Sequence, residues 1–275
     1  MQMIADEIRE DQTHCLELKM DNAKEFCSVL KTVTFREGCT FHVTKTGIRI
    51  IVDDQHCEQA NIYFEYPVFS SFVLREDVNF RVPIQELTEV LSMLDGNDVT
   101  LKMSYDGFGE PLRVTLASSE DDYIVQASIH TVNPEAVLDF DFNPEEIRAK
   151  IKIKPELFRD IIKGLDDTSH ALSMRVCSRK FTIISQGDIG KISMNFPSHS
   201  ELIEKIECTV DTSHSYRVLL IKRMAAALNL SSKVTLCIDV RGVLCVQLAI
   251  ERPEQQQFFI EFFCVADTEN PDDDE

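Results

Sequence analysis

The sequence predicts an α+β fold built from four repeated β-α-β-β-β units in two similar halves. Three observations carry this: runs of alternating apolar and polar residues, four short amphipathic helices among them, and the near-regular recurrence of those helices along 275 residues. Alternation with a period of two marks strands with one buried face, whereas apolar residues three and four apart mark a helix with one buried side.

In chain order, the first helix is expected over residues 21–33, opening on the cap Asp21 and placing Ala23, Phe26, Cys27, Leu30 and Val33 on one side. Ile48, Ile50 and Val52, then Ile62, Phe64 and Tyr66, alternate as strands. The second helix, 83–95, opens with proline at its first helical position, where its fixed φ is suited, and carries Leu87, Val90, Leu91 and Leu94. Strands follow at Leu112, Val114 and Leu116, and at Tyr123, Val125, Ala127 and Ile129. The third helix, 155–165, has the same proline signal and carries Leu157, Phe158, Ile161 and Ile162. Strands at 172–176 and 192–196 lead to the fourth helix, 217–229, with Leu220, Met224, Ala227 and Leu228, and then to strands at 234–240 and 244–250. Thr46-Gly47, Asp106-Gly107, Gly187-Asp188 and Arg241-Gly242 supply turns.

The helix starts at 21, 84, 155 and 217 lie 62–71 residues apart, each after a short strand and before three more. The longest gap is in the middle and holds residues 130–146, with Pro134 and Pro144, which read as a linker. The expected division is therefore 1–129, a connecting loop 130–146, 147–266, and an acidic, solvated and disordered tail 267–275.

The formal net charge is −19, which argues against a protein that sticks to nucleic acid by bulk attraction. The charge is uneven: residues 1–140 hold 11 basic and 25 acidic residues, net −14, whereas 141–266 come to +1. The acidic N-terminus has no apolar core of a signal peptide, and no apolar run approaches membrane-spanning length. Nine cysteines without a CxxC pair read as small buried hydrophobes in a reducing compartment.

Catalytic signatures are absent. The histidines form no HxxxH or HExxH pair, there is no GxSxG, and Gly107-Phe108-Gly109 precedes a strand, as a hairpin does and a phosphate loop does not. Paired acids sit mostly at turns, and Asp139 with Asp141 would share one strand face, the best carboxylate pair for a metal-dependent nuclease. No metal site and no cofactor is expected. The helix faces hold a different clue: Lys24 and Lys31 share the face opposite Phe26 and Leu30, Arg159 and Lys163 are four apart, and Lys222 and Arg223 adjoin. The second helix has no basic residue, so any basic surface would be partial.

Several segments recur in the order of one known family. Phe35-Arg-Glu-Gly-Cys-Thr-Phe-His-Val-Thr-Lys-Thr-Gly-Ile-Arg49 resembles the checkpoint clamp subunit of the Rad-one type, as do Cys57-Glu-Gln-Ala-Asn-Ile62, Leu138-Asp-Phe-Asp-Phe142, Arg241-Gly-Val-Leu-Cys-Val-Gln247 and Phe258-Phe-Ile-Glu-Phe-Phe-Cys264. Leu230-Ser-Ser-Lys-Val-Thr-Leu236 is similar to the matching turn and strand of proliferating cell nuclear antigen. The resemblance spans about residues 12–267 and implies a sliding-clamp (DNA clamp) fold, with helices lining a pore and sheets outside.

It further implies a heterotrimeric ring, the 9-1-1 clamp, with Rad-nine-type and Hus-one-type partners, opened by a checkpoint clamp loader and threaded by double-stranded DNA in the nucleus. Lys24, Lys31, Arg159, Lys163, Lys222 and Arg223 are then candidates for loose phosphate contacts without base reading. Edge strands containing Asp122, Tyr123, Val125 and Ile129, and Ile189, Ile192 and Met194, would pair with neighbouring subunits. Val52, Leu138, Phe140, Val243 and Phe263 could line a partner-peptide groove beside the connecting loop, or simply pack in the core. The alternatives are a metal-dependent 3′→5′ DNA exonuclease using Asp139 and Asp141, and an acidic β-rich adaptor between proteins.

Overall fold

The computed structural model describes residues 14–267 apart from 55–56, 95, 97, 119–123, 135–139, 141, 189 and 252–256. The first half runs β1 (Leu16–Met20), α1 (Ala23–Lys31), β2 (Gly38–Thr44), β3 (Gly47–Asp54), β4 (Glu58–Glu65), β5 (Ser71–Leu74), β6 (Val78–Pro83), α2 (Ile84–Leu91), β7 (Val99–Tyr105), β8 (Leu112–Ser118) and β9 (Ile124–Ile129). The second runs β10 (Ile147–Ile153), α3 (Pro155–Gly164), β11 (Ala171–Cys177), β12 (Lys180–Gly187), β13 (Gly190–Pro197), β14 (Ile203–Cys208), β15 (Thr212–Arg217), α4 (Val218–Arg223), α5 (Ala225–Leu230), β16 (Lys233–Asp239), β17 (Leu244–Glu251) and β18 (Gln257–Cys264). The molecule is thus mostly β with few helices.

All strands pair antiparallel in three sheets. One has the order β5-β1-β7-β8-β9, and one the order β13-β12-β11-β15. The largest is β14-β10-β16-β17-β18-β4-β3-β2-β6, continuous across the two halves because β18 pairs with β4 from Phe258↔Phe64 to Cys264↔Glu58. The main core continues through this joint: Phe64 stacks on Phe26 at 4.7 Å and meets Phe258 edge-on at 4.9 Å.

Four local readings are corrected. The first helix is capped by Asn22, whose Oδ1 accepts from the Glu25 N–H at 3.3 Å; Asp21 instead accepts from the Ser70 hydroxyl. Pro83 occupies the cap of α2, one position before the helix, because β6 pairs through to Pro83↔Gly38. The expected fourth helix is broken at Met224, whose N–H bonds back three residues to Ile221 O, a tightened turn between α4 and α5. The strands β5 and β14 have no counterpart in the sequence pattern; they are edge strands with largely exposed residues and weak alternation.

The hairpin between β2 and β3 depends on one glycine. Gly47 has φ +141, and a Cβ there would overlap the Phe64 carbonyl on β4. Gly47→Ala is expected to destabilise the chain by about 1–3 kcal/mol, read as a lower urea midpoint.

Candidate subunit edges and nucleic-acid face

The joint between the halves shows how this fold closes a sheet edge. Along it, Ala60, Ile62 and Phe64 of β4 and Phe258, Ile260 and Phe262 of β18 are no more than 1% exposed. The order β14-β10-β16-β17-β18 repeats β5-β1-β7-β8-β9, so β9 holds the position of β18. Likewise β15-β11-β12-β13 repeats β6-β2-β3-β4, so β13 holds that of β4. Both β9 and β13 end their sheets.

The inward residues of these two strands are only half-buried: Val125 and Ala127 on β9, and Ile192, Met194 and Phe196 on β13. Ile129 is buried, and Val125, Met194 and Phe196 already touch the main core from one side. Two hydrophobic strand edges therefore lack the cover that β4 and β18 give each other. Asp122, Tyr123 and Ile189 lie outside the described residues.

Next to the joint is an ion-pair cluster that the sequence pattern does not announce. Arg223 donates to Asp54 at 2.6 Å and to Glu58 at 2.7 Å, and its guanidinium lies over the Phe35 ring at 5.2 Å. Arg36 pairs with the other oxygen of Asp54. Glu58 is fully buried; burial pushes its carboxyl up to about 7 although Arg223 pulls it down. Arg223 thus ties α4 of the second half to β3 and β4 of the first. That replaces its reading as a loose phosphate contact, because its Nη1 is already shared between two carboxylates and its guanidinium covers a ring.

The other basic candidates separate by their surroundings. Lys222 pairs with Asp167 and donates to the Leu165 carbonyl at 3.3 Å. Arg159 is half-buried and pairs with Glu156 at 3.2 Å along α3. Lys24, Lys31 and Lys163 are exposed on helix faces opposite the buried Phe26, Leu30, Phe158 and Ile162.

Of the groove candidates, Phe140, Val243 and Phe263 meet in one small cluster with Cys237 and Cys245, apart from the main core. Phe140 stacks on Phe263 at 5.6 Å, and Phe142 meets the same ring edge-on at 5.8 Å. The connecting loop therefore fills this hollow with its own side chains. Val52 is corrected: it is fully buried in the main core and lines no groove. Leu138 lies outside the described residues. Sequence reasoning misses the latch beneath the loop, where Arg241 donates to the Phe140 carbonyl at 2.7 Å and to buried Asp239 at 2.8 Å.

Among the described residues, no group of three or more His, Cys, Asp or Glu could hold a metal ion. Asp139 and Asp141 lie outside them. Burial raises the thiols of Cys39, Cys237, Cys245 and Cys264, which keeps them protonated and unreactive, whereas Cys57 is exposed.

Residues 15–250 match the model of the family described as repair protein Rad1/Rec1/Rad17. The chain is 34% identical over 271 residues to mouse cell cycle checkpoint protein RAD1, covering 96% of each. It is 32% identical over 260 residues to the Caenorhabditis elegans cell cycle checkpoint protein RAD1 homolog mrt-2, covering 94% of this chain and 97% of that protein. It is 24% identical over 280 residues to the Schizosaccharomyces pombe DNA damage checkpoint control protein rad1, covering 92% and 86%.

Proposed function

The chain belongs to the Rad1/Rec1/Rad17 family of repair proteins, and on that footing we infer that it serves as a non-enzymatic subunit of the DNA-damage checkpoint clamp. It acts in the nucleus, in a heterotrimeric ring with a Rad-nine-type and a Hus-one-type subunit, set onto DNA by a checkpoint clamp loader. The ring supports checkpoint kinase signalling and DNA repair. Residues 1–129 and 147–266 form its two domains, each contributing two β-α-β-β-β units, with 130–146 as the connector. One observation carries this reading: β9 and β13 repeat the positions of β18 and β4, the pair that closes the sheet inside the chain. Each edge then takes one neighbour, and strand pairing propagates around a closed ring without leaving an open edge.

The helices line the hole and face the duplex. A charge of −19 is compatible with this, because a ring threaded by DNA is held by topology and needs little affinity. Lys24, Lys31, Arg159, Lys163 and Lys222 make loose phosphate contacts, of which Lys24, Lys31 and Lys163 stand on exposed helix positions. Reversing the charge at Lys24, Lys31 and Lys163 is expected to weaken DNA-stimulated loading while the ring still assembles. The salt slope falls by about one for each phosphate that is no longer neutralised. Loading equal to that of the unaltered ring contradicts the pore assignment.

A further inference from the structure

The two halves also match in how the chain leaves them. In each, the helix after the last strand of the four-stranded unit starts with the same bond: Ile84 N–H to Glu37 O, and Val218 N–H to His170 O, both 2.9 Å. Three residues past the end of β9, Val132 exchanges hydrogen bonds with Arg81 on β6, three residues before α2. Three residues past the end of β18, the Asp267 N–H donates to Ser215 O on β15 at 2.7 Å, three residues before α4. Asp267 is therefore no part of a free tail: its side chain is 4% exposed, near Arg217 and His170. Val132 and Asp267 thus stand at matching places in the two halves, each bonded to the strand that precedes a helix.

The connecting loop is held at Val132, paired beside β6, and at Phe140, packed beside Val243 and Phe263. Between those anchors Thr40, Ile51 and Asn61 lie side by side on β2, β3 and β4, at 5%, 3% and 1% exposure. The matching row on β11, β12 and β13 is Ser173, Ile184 and Ser193, of which the first two are half-buried and the third is exposed. This second face holds a cleft of about 480 Å³ whose lining includes Arg175, Cys177, Lys180, Thr182 and Asn195, with Asp211 as its one acid. Arg175 and Lys180 are exposed there. The residues that follow Asp267 are Thr268-Glu-Asn-Pro-Asp-Asp-Asp-Glu275, with five carboxylates in eight residues.

We propose that segment 268–275 docks across the outer face of the β15-β11-β12-β13 sheet, over the Arg175–Lys180 cleft, as the second half's counterpart of the connecting loop. Its reach is sufficient: eight extended residues span about 26 Å, and three strand spacings from β15 to β13 come to about 14 Å. Its charge is opposite to that of the cleft, so docking is electrostatic and weakens with salt. Pro271 has no N–H to give to an edge ladder, so the segment lies over the sheet without extending it.

Carbodiimide coupling of the full chain, followed by peptide mass spectrometry of the monomer fraction, tests this. The expected product joins the Lys180 amine to a carboxylate of 268–275, and it disappears in about 1 M salt, where the screening length is about 3 Å. Arg175→Glu, at an exposed position, suppresses the same product. Removing residues 268–275 speeds alkylation of Cys177 roughly fivefold, the factor for a cover in place about four-fifths of the time. Absence of the Lys180 product, coupling of the segment to the helix lysines instead, or an unchanged Cys177 rate each overturns the proposal. The test uses the isolated chain, so its outcome is independent of whether the ring forms.

Discussion

Arg223→Ala is expected to destabilise the chain by about 3–5 kcal/mol, the penalty for leaving a buried partner charge unmatched. Glu58 has no exposed surface, and its Oε1 has no hydrogen-bond partner among the described residues, so the carboxylate depends on Arg223. The effect carries a pH signature. Burial sets the folded pKa of Glu58 at about 7, above its ordinary value of 4.5. A carboxyl raised in the folded state contributes stability below its unfolded pKa, and that contribution is lost as pH rises through the folded value. Without Arg223 the carboxyl rises further, so the variant's deficit is smaller near pH 5.5, where Glu58 is protonated, and larger near pH 8. Urea unfolding at both pH values measures this. A deficit below about 1 kcal/mol at both, the ordinary worth of an exposed pair, contradicts the role given to the cluster.

Ile192→Asp together with Met194→Asp is expected to abolish pairing at the β13 edge. At the equivalent joint, Ala60 and Ile62 are wholly buried against β18, so a carboxylate in either place must be desolvated without a partner. Two such groups weaken partner binding by at least about 2.7 kcal/mol, or about a hundredfold. Met194 touches the core from one side, so the isolated chain loses some stability, and its urea midpoint is read beside the binding to show that the variant stays folded. Pull-down with each partner separately reads the result: the partner at the β9 edge still binds, and the one at β13 does not. Undiminished binding at both edges contradicts the assignment of β13.

Much of the architecture is legible in the sequence because it is written in local period. Strands such as β17 alternate Leu244, Val246, Leu248 and Ile250 inward, and α3 carries Leu157, Phe158, Ile161 and Ile162 on one side. The illegible parts depend on neighbours distant in sequence. β5 and β14 exist because β1 and β10 offer them edges, and their own residues carry little pattern. Met224 breaks a helix whose apolar spacing runs on unbroken. Arg223 looks like a surface base beside Lys222, yet its partners Asp54 and Glu58 lie 169 and 165 residues away. Phe140, Val243 and Phe263 are neighbours, but nothing in their sequence shows that the loop itself fills the hollow. Val52 belongs instead with Ile48 and Ile50, the alternating row of β3 that faces the core.

The central claim is that this chain closes a ring with two different partners through β9 and β13. Native mass spectrometry of the chain co-expressed with a Rad-nine-type and a Hus-one-type subunit tests it most directly. The expected result is a single species containing one copy of each subunit, which is lost when the β13 edge carries Ile192→Asp and Met194→Asp. A chain that remains alone, or associates only with copies of itself, contradicts it.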